Sequence, residues 1–197
     1  MPDQPRSRRS SLQSRRPSLT NDQLCRLLSL SHDDPSLRDV HSVVTIILNT
    51  GPRPGELQDL MWSNVDARKS RVLIPNYRNN RCVGRYVPFG AKTLQTLKAL
   101  HDREPASEIV LGASAHRRLN WVSHKLRVLG REIGVVPISL SGLRHAFVTR
   151  FMAYGGSVDS LSTICGYKPG NSKFLSTLEQ RFECAARDQA RVENDLQ

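Results

Sequence analysis

The run Val43-Val44-Thr45-Ile46-Ile47-Leu48 ends at Thr50-Gly51-Pro52-Arg53-Pro54-Gly55. A segment this apolar fits a helix buried on most sides, so other elements must surround it. Thr50-Gly51 stops that helix, because glycine accepts the left-handed backbone of a helix C-terminus. Pro54 then suits the first turn of a new short helix through Glu56, Leu57 and Leu60. A buried helix that stops and restarts within four residues leaves Arg53 at the junction.

The surrounding periodicities supply the partners. Thr20 followed by Gln23 reads as a capping box, and Leu24, Leu27 and Leu28 give the first helix its apolar stripe, which His32-Asp33-Asp34-Pro35 breaks. Arg71–Pro75 and Gly84–Pro88 read as two short strands, with Asn79-Asn80 in the polar turn of a hairpin. Leu94, Leu97 and Leu100 mark a helix, and Leu119, Val122, Leu126 and Leu129 another. Leu143, Phe147, Val148 and Phe151 mark a third, ended by Gly155-Gly156. Val158, Leu161 and Ile164 mark a short one ended by Gly166, and a last helix follows the polar loop 168–172. The expected fold is mainly α with a small antiparallel β-sheet, an α+β arrangement without internal repeats.

Charge and composition narrow the function. Among 197 residues, 29 Lys and Arg against 18 Asp and Glu give a formal net charge of +11, which suggests a polyanionic partner, nucleic acid before membrane. Residues 1–18 hold Arg6, Arg8, Arg9, Arg15 and Arg16 with almost no apolar content, so this Arg/Ser/Pro tail is expected to be disordered alone. It is either a solvated linker or an arm that lies along phosphates. Residues 19–197 form the expected domain. No apolar run is long enough to span a bilayer, and the N-terminus lacks the apolar core of a secretory signal. Cys25, Cys82, Cys165 and Cys184 show no C-x-x-C pairing and read as reduced thiols of a cytoplasmic protein, nucleoid-associated if prokaryotic. The six histidines are scattered and share no short metal-ligand spacing with Cys or Asp, so a zinc site is not expected.

A second cluster lies at Leu140-Ser141-Gly142-Leu143-Arg144-His145-Ala146-Phe147, where Arg144 sits one turn into a helix with Ser139 or Ser141 as N-cap. Two guanidinium forks meeting at helix starts would grip the oxygens of one phosphate, and Glu56 could pair with an arginine and fix its rotamer. The alternative is two unrelated arginines in surface salt bridges.

Read together, these segments resemble the catalytic domain of the tyrosine recombinases, the phage integrase family. That family's first box reads like T-G-x-R-x-x-E-L-x-x-L-x-W, and Thr50 to Trp62 match every fixed position. The second box, like H-x-L-R-H-x-F, aligns with Ser141 to Phe147. The family's Leu-Gly-His aligns with Cys165-Gly166-Tyr167, and Val87-Pro88 after the hairpin also fits. The resemblance runs from about Leu19 to the C-terminus. It implies double-stranded DNA as partner, DNA recombination and integration as activity, and no metal or nucleotide cofactor. In the implied chemistry a tyrosine attacks the scissile phosphate, two arginines stabilise its charge, and a hairpin lysine protonates the leaving oxygen.

Arg53 and Arg144 carry over as the phosphate clamp and Glu56 as their support. Other positions depart. Ser141 stands where the second-box histidine should be, Tyr167 at the His/Trp position, and Asn80 at the hairpin lysine. Arg78 and Arg81 flank Asn80 and, with Arg85 and His145, are candidate DNA contacts, although arginine is a poor general acid. No tyrosine follows Tyr167. A gapless count places Ser176 at the nucleophile; the context Gln180-Arg181-Phe182 favours Phe182, which has no hydroxyl. Three expectations follow: a DNA-binding member with weakened or lost strand cleavage, an active recombinase with an altered residue set, or a non-catalytic remnant serving protein interaction. The last helix is a candidate surface for self-association.

Overall fold

The computed structural model describes residues 19–75, 77–78, 81–82, 84–135 and 137–166, with the backbone alone at 77–78 and 81–82. The tail 1–18 and everything after Gly166, including Tyr167, Ser176, Phe182 and the last helix, lie outside the described residues.

Helix α1 (Asn21–Asp33) opens with the expected capping box: the Thr20 hydroxyl accepts from Gln23 N, and the Gln23 side chain accepts from Thr20 N. Helix α2 (Arg38–Thr50) carries the apolar run and packs against α1, α4 (Ala91–Arg103), α5 (Ala115–Glu132) and α6 (Leu140–Ala153). Val40, Val43, Val44 and Ile47 are fully buried in it. Each such side chain contributes about 1.5–3 kcal/mol through burial, so α2 is the axis of the core.

Gly51 ends α2 with φ of 60°, its N–H donating to the Ile47 carbonyl. A Cβ at this position would lie 2.4 Å from the Phe147 ring of α6. Two requirements therefore fall on one residue: a left-handed backbone and room for a neighbouring aromatic ring. Helix α3 (Pro54–Gln58) starts three residues later. It is shorter than its leucine spacing suggests, because Asp59 leaves the helical conformation and Leu60 is buried beyond its end, its carbonyl accepting from Val110 N.

The sheet is antiparallel, ordered β1 (Val65–Asp66), β2 (Arg71–Ile74), β5 (Arg85–Pro88). Strands β3 (Tyr77–Arg78) and β4 (Arg81–Cys82) extend the hairpin beyond it as a second, two-stranded sheet. The hairpin was legible in the sequence; β1, only two residues long, was not. Register places Ile74 opposite Arg85 and Val72 opposite Val87. Val72, Ile74 and Val87 face the core, so the two-residue period turns Arg85 inward with Val87. Tyr86 faces out, with the Arg71 guanidinium 4.0 Å from its ring centre.

Helix α6 is capped by Ser139, whose Oγ accepts from Gly142 N at 3.0 Å, which leaves Ser141 in the exposed first turn. Helix α7 (Val158–Cys165) ends on Gly166 in the left-handed region. Phe147, Val148, Leu161 and Cys165 form a small second core that joins α6 to α7. The architecture is the mainly helical one with a small antiparallel sheet. Among the described residues, no helix is long and apolar enough to cross a membrane.

Candidate functional site

Three separate segments meet at Glu56, and a fourth joins them through the arginines. The first is the α2–α3 junction. Arg53 occupies the N-cap position of α3, and its backbone N–H donates to Glu56 Oε2 at 2.7 Å. Its Nη1 donates to Glu56 Oε1 at 3.0 Å, while about half of the side chain stays exposed. The pair lies three residues apart on one face, a spacing that brings helical neighbours together.

The second segment is α6. Arg144 is buried; its Nη1 donates to the Gly51 carbonyl and its Nη2 to the Cys165 carbonyl at 2.8 Å. Its Nη1 also lies 3.7 Å from Glu56 Oε2. The third is β5. Arg85 donates from Nη1 and Nη2 to the two Glu56 oxygens at 3.0 and 2.8 Å, a bidentate fork. The fourth is the end of α7, where the Ile164 carbonyl accepts from Arg85 Nε at 2.7 Å.

One carboxylate thus faces three guanidiniums. Burial pushes the Glu56 carboxyl up, but the Arg85 hydrogen bonds, the Arg53 N–H and the charges of both arginines outweigh it, and the group sits below the usual range. It is ionised at neutral pH, so the cluster keeps a surplus of positive charge. Because the folded-state value lies below the unfolded one, Glu56 contributes stability above roughly pH 4.3 that is lost as pH falls through the folded value. Urea midpoints measured from about pH 6 down to about pH 3 should therefore fall more steeply for the native chain than for Glu56→Gln. Equal slopes would show that the ion cluster contributes nothing to acid stability.

Beside the cluster lies a cavity of about 330 Å³ between α3, α5 and the start of α6. Ser141 and Arg127 line it. Across its wall Gln58 Oε1 is 3.1 Å from His116 Nδ1, and His116 Nε2 is 3.0 Å from Asn120 Nδ2. Sequence reading did not single out this chain, because Gln58 and His116 lie on different helices.

The sequence-derived candidates fall into three groups. Arg53, Glu56 and Arg144 come together as one cluster. Ser141 stands in the first turn of α6, at the edge of the neighbouring cavity, and His145 follows Arg144 on the same helix. Arg85 joins the cluster from the sheet, its guanidinium spent on Glu56 and Ile164 within the fold. The side chains of Arg78 and Arg81 lie outside the described residues, as do Asn80, Tyr167, Ser176 and Phe182. Among the described residues no group of three His, Cys, Asp or Glu is placed to hold a metal ion.

The domain is mainly helical with small antiparallel sheets, and the arginines of both boxes gather around Glu56 at a helix junction. The phage integrase family model matches residues 17–172, and the chain belongs to that family. Among solved structures it is similar to XerA recombinase, with a TM-score of 0.69 and 21% identity over 96% of this chain and 66% of that one. It is also similar to the Tn1549 transposon integrase in complex with circular intermediate DNA, with a TM-score of 0.68 and 16% identity over 83% of this chain and 60% of that one. A lambda integrase dimer bound to a core site gives a TM-score of 0.59 and 14% identity over 82% of this chain and 47% of that one. These likenesses show the fold. The chain spans less than two thirds of the length of each of these three. No curated protein matches it.

Proposed function

We propose that this protein binds double-stranded DNA through Arg53 and Arg144, in the manner of a phage integrase catalytic domain, and that its strand cleavage is weakened or lost. The observation that carries the reading is the convergence of both box arginines on Glu56. Arg53 keeps half of its side chain exposed for a further anion, and Arg144 is locked beside it by two backbone carbonyls. Preorganised cations of this kind stabilise a phosphate without reorganising first. Exposed Arg117, Arg127 and Arg131 on α5 add to a basic surface, and the overall charge of +11 favours a polyanion. Solved relatives are described as bound to DNA.

Loss of cleavage rests on residue chemistry. With Phe182 at the nucleophile position, no hydroxyl attacks the phosphorus. With Asn80 at the lysine position, the leaving oxygen has no ammonium to protonate it. Ser141 cannot serve as a base near neutral pH. The test is a nicked suicide duplex, in which a cleaving recombinase traps itself on DNA. No covalent adduct should form while the duplex is bound. An adduct would show that a nucleophile exists, and peptide mapping would tell Ser176 from Tyr167.

A further inference from the structure

Arg85 looks like one more cation for the DNA backbone, and its sequence position on the hairpin encourages that view. Its surroundings say otherwise. Only 10% of the side chain is exposed. Three of its donor groups are already committed, two to Glu56 and one to the Ile164 carbonyl. A Cβ on Gly166 would lie 3.0 Å from its Nη1, so the chain passes closely over the guanidinium. Any phosphate reaching Arg85 would have to break the fork to Glu56.

The carbonyl of Ile164 belongs to the last turn of α7, as does that of Cys165. The last four carbonyls of a helix have no partner within it, and they form the negative end of its dipole. Here two arginines from different elements cover two of them: Arg85 from β5 takes Ile164, and Arg144 from α6 takes Cys165. Both guanidiniums also face Glu56. The end of α7, the hairpin and the α2–α3 junction are therefore tied at one point, across 29 residues in one direction and 79 in the other. Tyr167, aligned with the histidine of the family's Leu-Gly-His, is the next residue after Gly166.

We infer that Arg85 is a positioning residue, not a phosphate contact: it orients Glu56 beneath Arg53 and Arg144, and it caps α7 so that the chain leaves Gly166 from a defined point. This rests on the reading of Arg53 and Arg144 as the phosphate clamp, but its capping half stands without DNA. The two halves have separate readouts.

The first readout is amide hydrogen exchange by mass spectrometry on the full chain without DNA. Arg85→Met removes every donor. Exchange in the last turn of α7 should rise about tenfold or more, with α1 and α4 unchanged, as expected for loss of charge-assisted bonds. Should Arg85→Met loosen all helices alike, Arg85→Lys decides. A lysine keeps the charge beside Glu56 but cannot span to Ile164 as a fork does. Selective loosening of α7 in that variant supports the assignment, and protection that is unchanged or uniformly lost overturns it.

The second readout is duplex binding as a function of salt. Arg85→Met should weaken binding about tenfold at fixed salt, because Glu56 then draws on the clamp arginines. The slope of log K against log salt should stay at the native value, because no phosphate contact is lost. Arg53→Ala should lower that slope by up to about one. A slope reduced in Arg85→Met as in Arg53→Ala would overturn the positioning role. Absence of duplex binding by the native chain would instead defeat the proposed function, and the exchange experiment would still judge the cap.

Discussion

Changing Arg53 and Arg144 together to alanine should weaken duplex binding about a hundredfold or more at about 0.1 M salt, and lower the salt slope by about one. Hydrogen bonds to charged groups are each worth about 1.5–3 kcal/mol, and two guanidiniums on one phosphate lose several of them together. The slope counts phosphates neutralised, so a shared phosphate costs about one unit for the pair and not two. Arg53→Ala alone should cost about tenfold, since Arg144 remains anchored on the Gly51 and Cys165 carbonyls. The measurement is a fluorescence-anisotropy titration at several salt concentrations, with circular dichroism confirming that each variant is folded. Native affinity in the double variant would mean that the cluster is structural and that DNA, if bound, lies elsewhere.

The second large effect is on stability, and it separates the two arginines. Arg144→Ala removes a buried cation that serves two carbonyls and faces Glu56. Stripping one partner from a buried charged network typically costs about 3–5 kcal/mol. Glu56 keeps Arg53 and Arg85, so the loss should lie near the lower figure, about 3 kcal/mol. For a domain of this size that is roughly 10 °C in melting temperature. Arg53→Ala breaks a half-exposed pair, and such pairs contribute under about 1 kcal/mol. Thermal melts monitored at the helix signal should therefore shift strongly for Arg144→Ala and little for Arg53→Ala. Equal shifts would contradict the different burial of the two side chains.

Much of the frame was legible because its signals are local. The Thr20–Gln23 capping box, the stop at Gly51 and the restart at Pro54 each act within one helical turn, and each stands where the spacing predicts. The hairpin strands read correctly from β-branched residues bounded by Pro75 and Gly84. Arg53 and Glu56 were readable as a pair because three residues separate them on one helix face. What was not legible depends on distant packing. The Gly51 approach to Phe147 joins residues of different helices. The choice between Ser139 and Ser141 as cap turned on backbone conformation, which residue type does not settle. Arg85 was legible as basic, but its inward direction follows from the strand period that also buries Val87. That alternation was visible in the sequence; its partners, Glu56 and Ile164, were not.

The most direct test of a disarmed recombinase site that still holds DNA is one incubation read on two gels. Native protein is mixed with a nicked suicide duplex library; a native gel reports binding across salt, and a denaturing gel reports covalent capture. Salt-dependent binding with no covalent band is the expected result. A covalent band would contradict the loss of cleavage, and no salt-dependent shift at any concentration would contradict DNA binding itself.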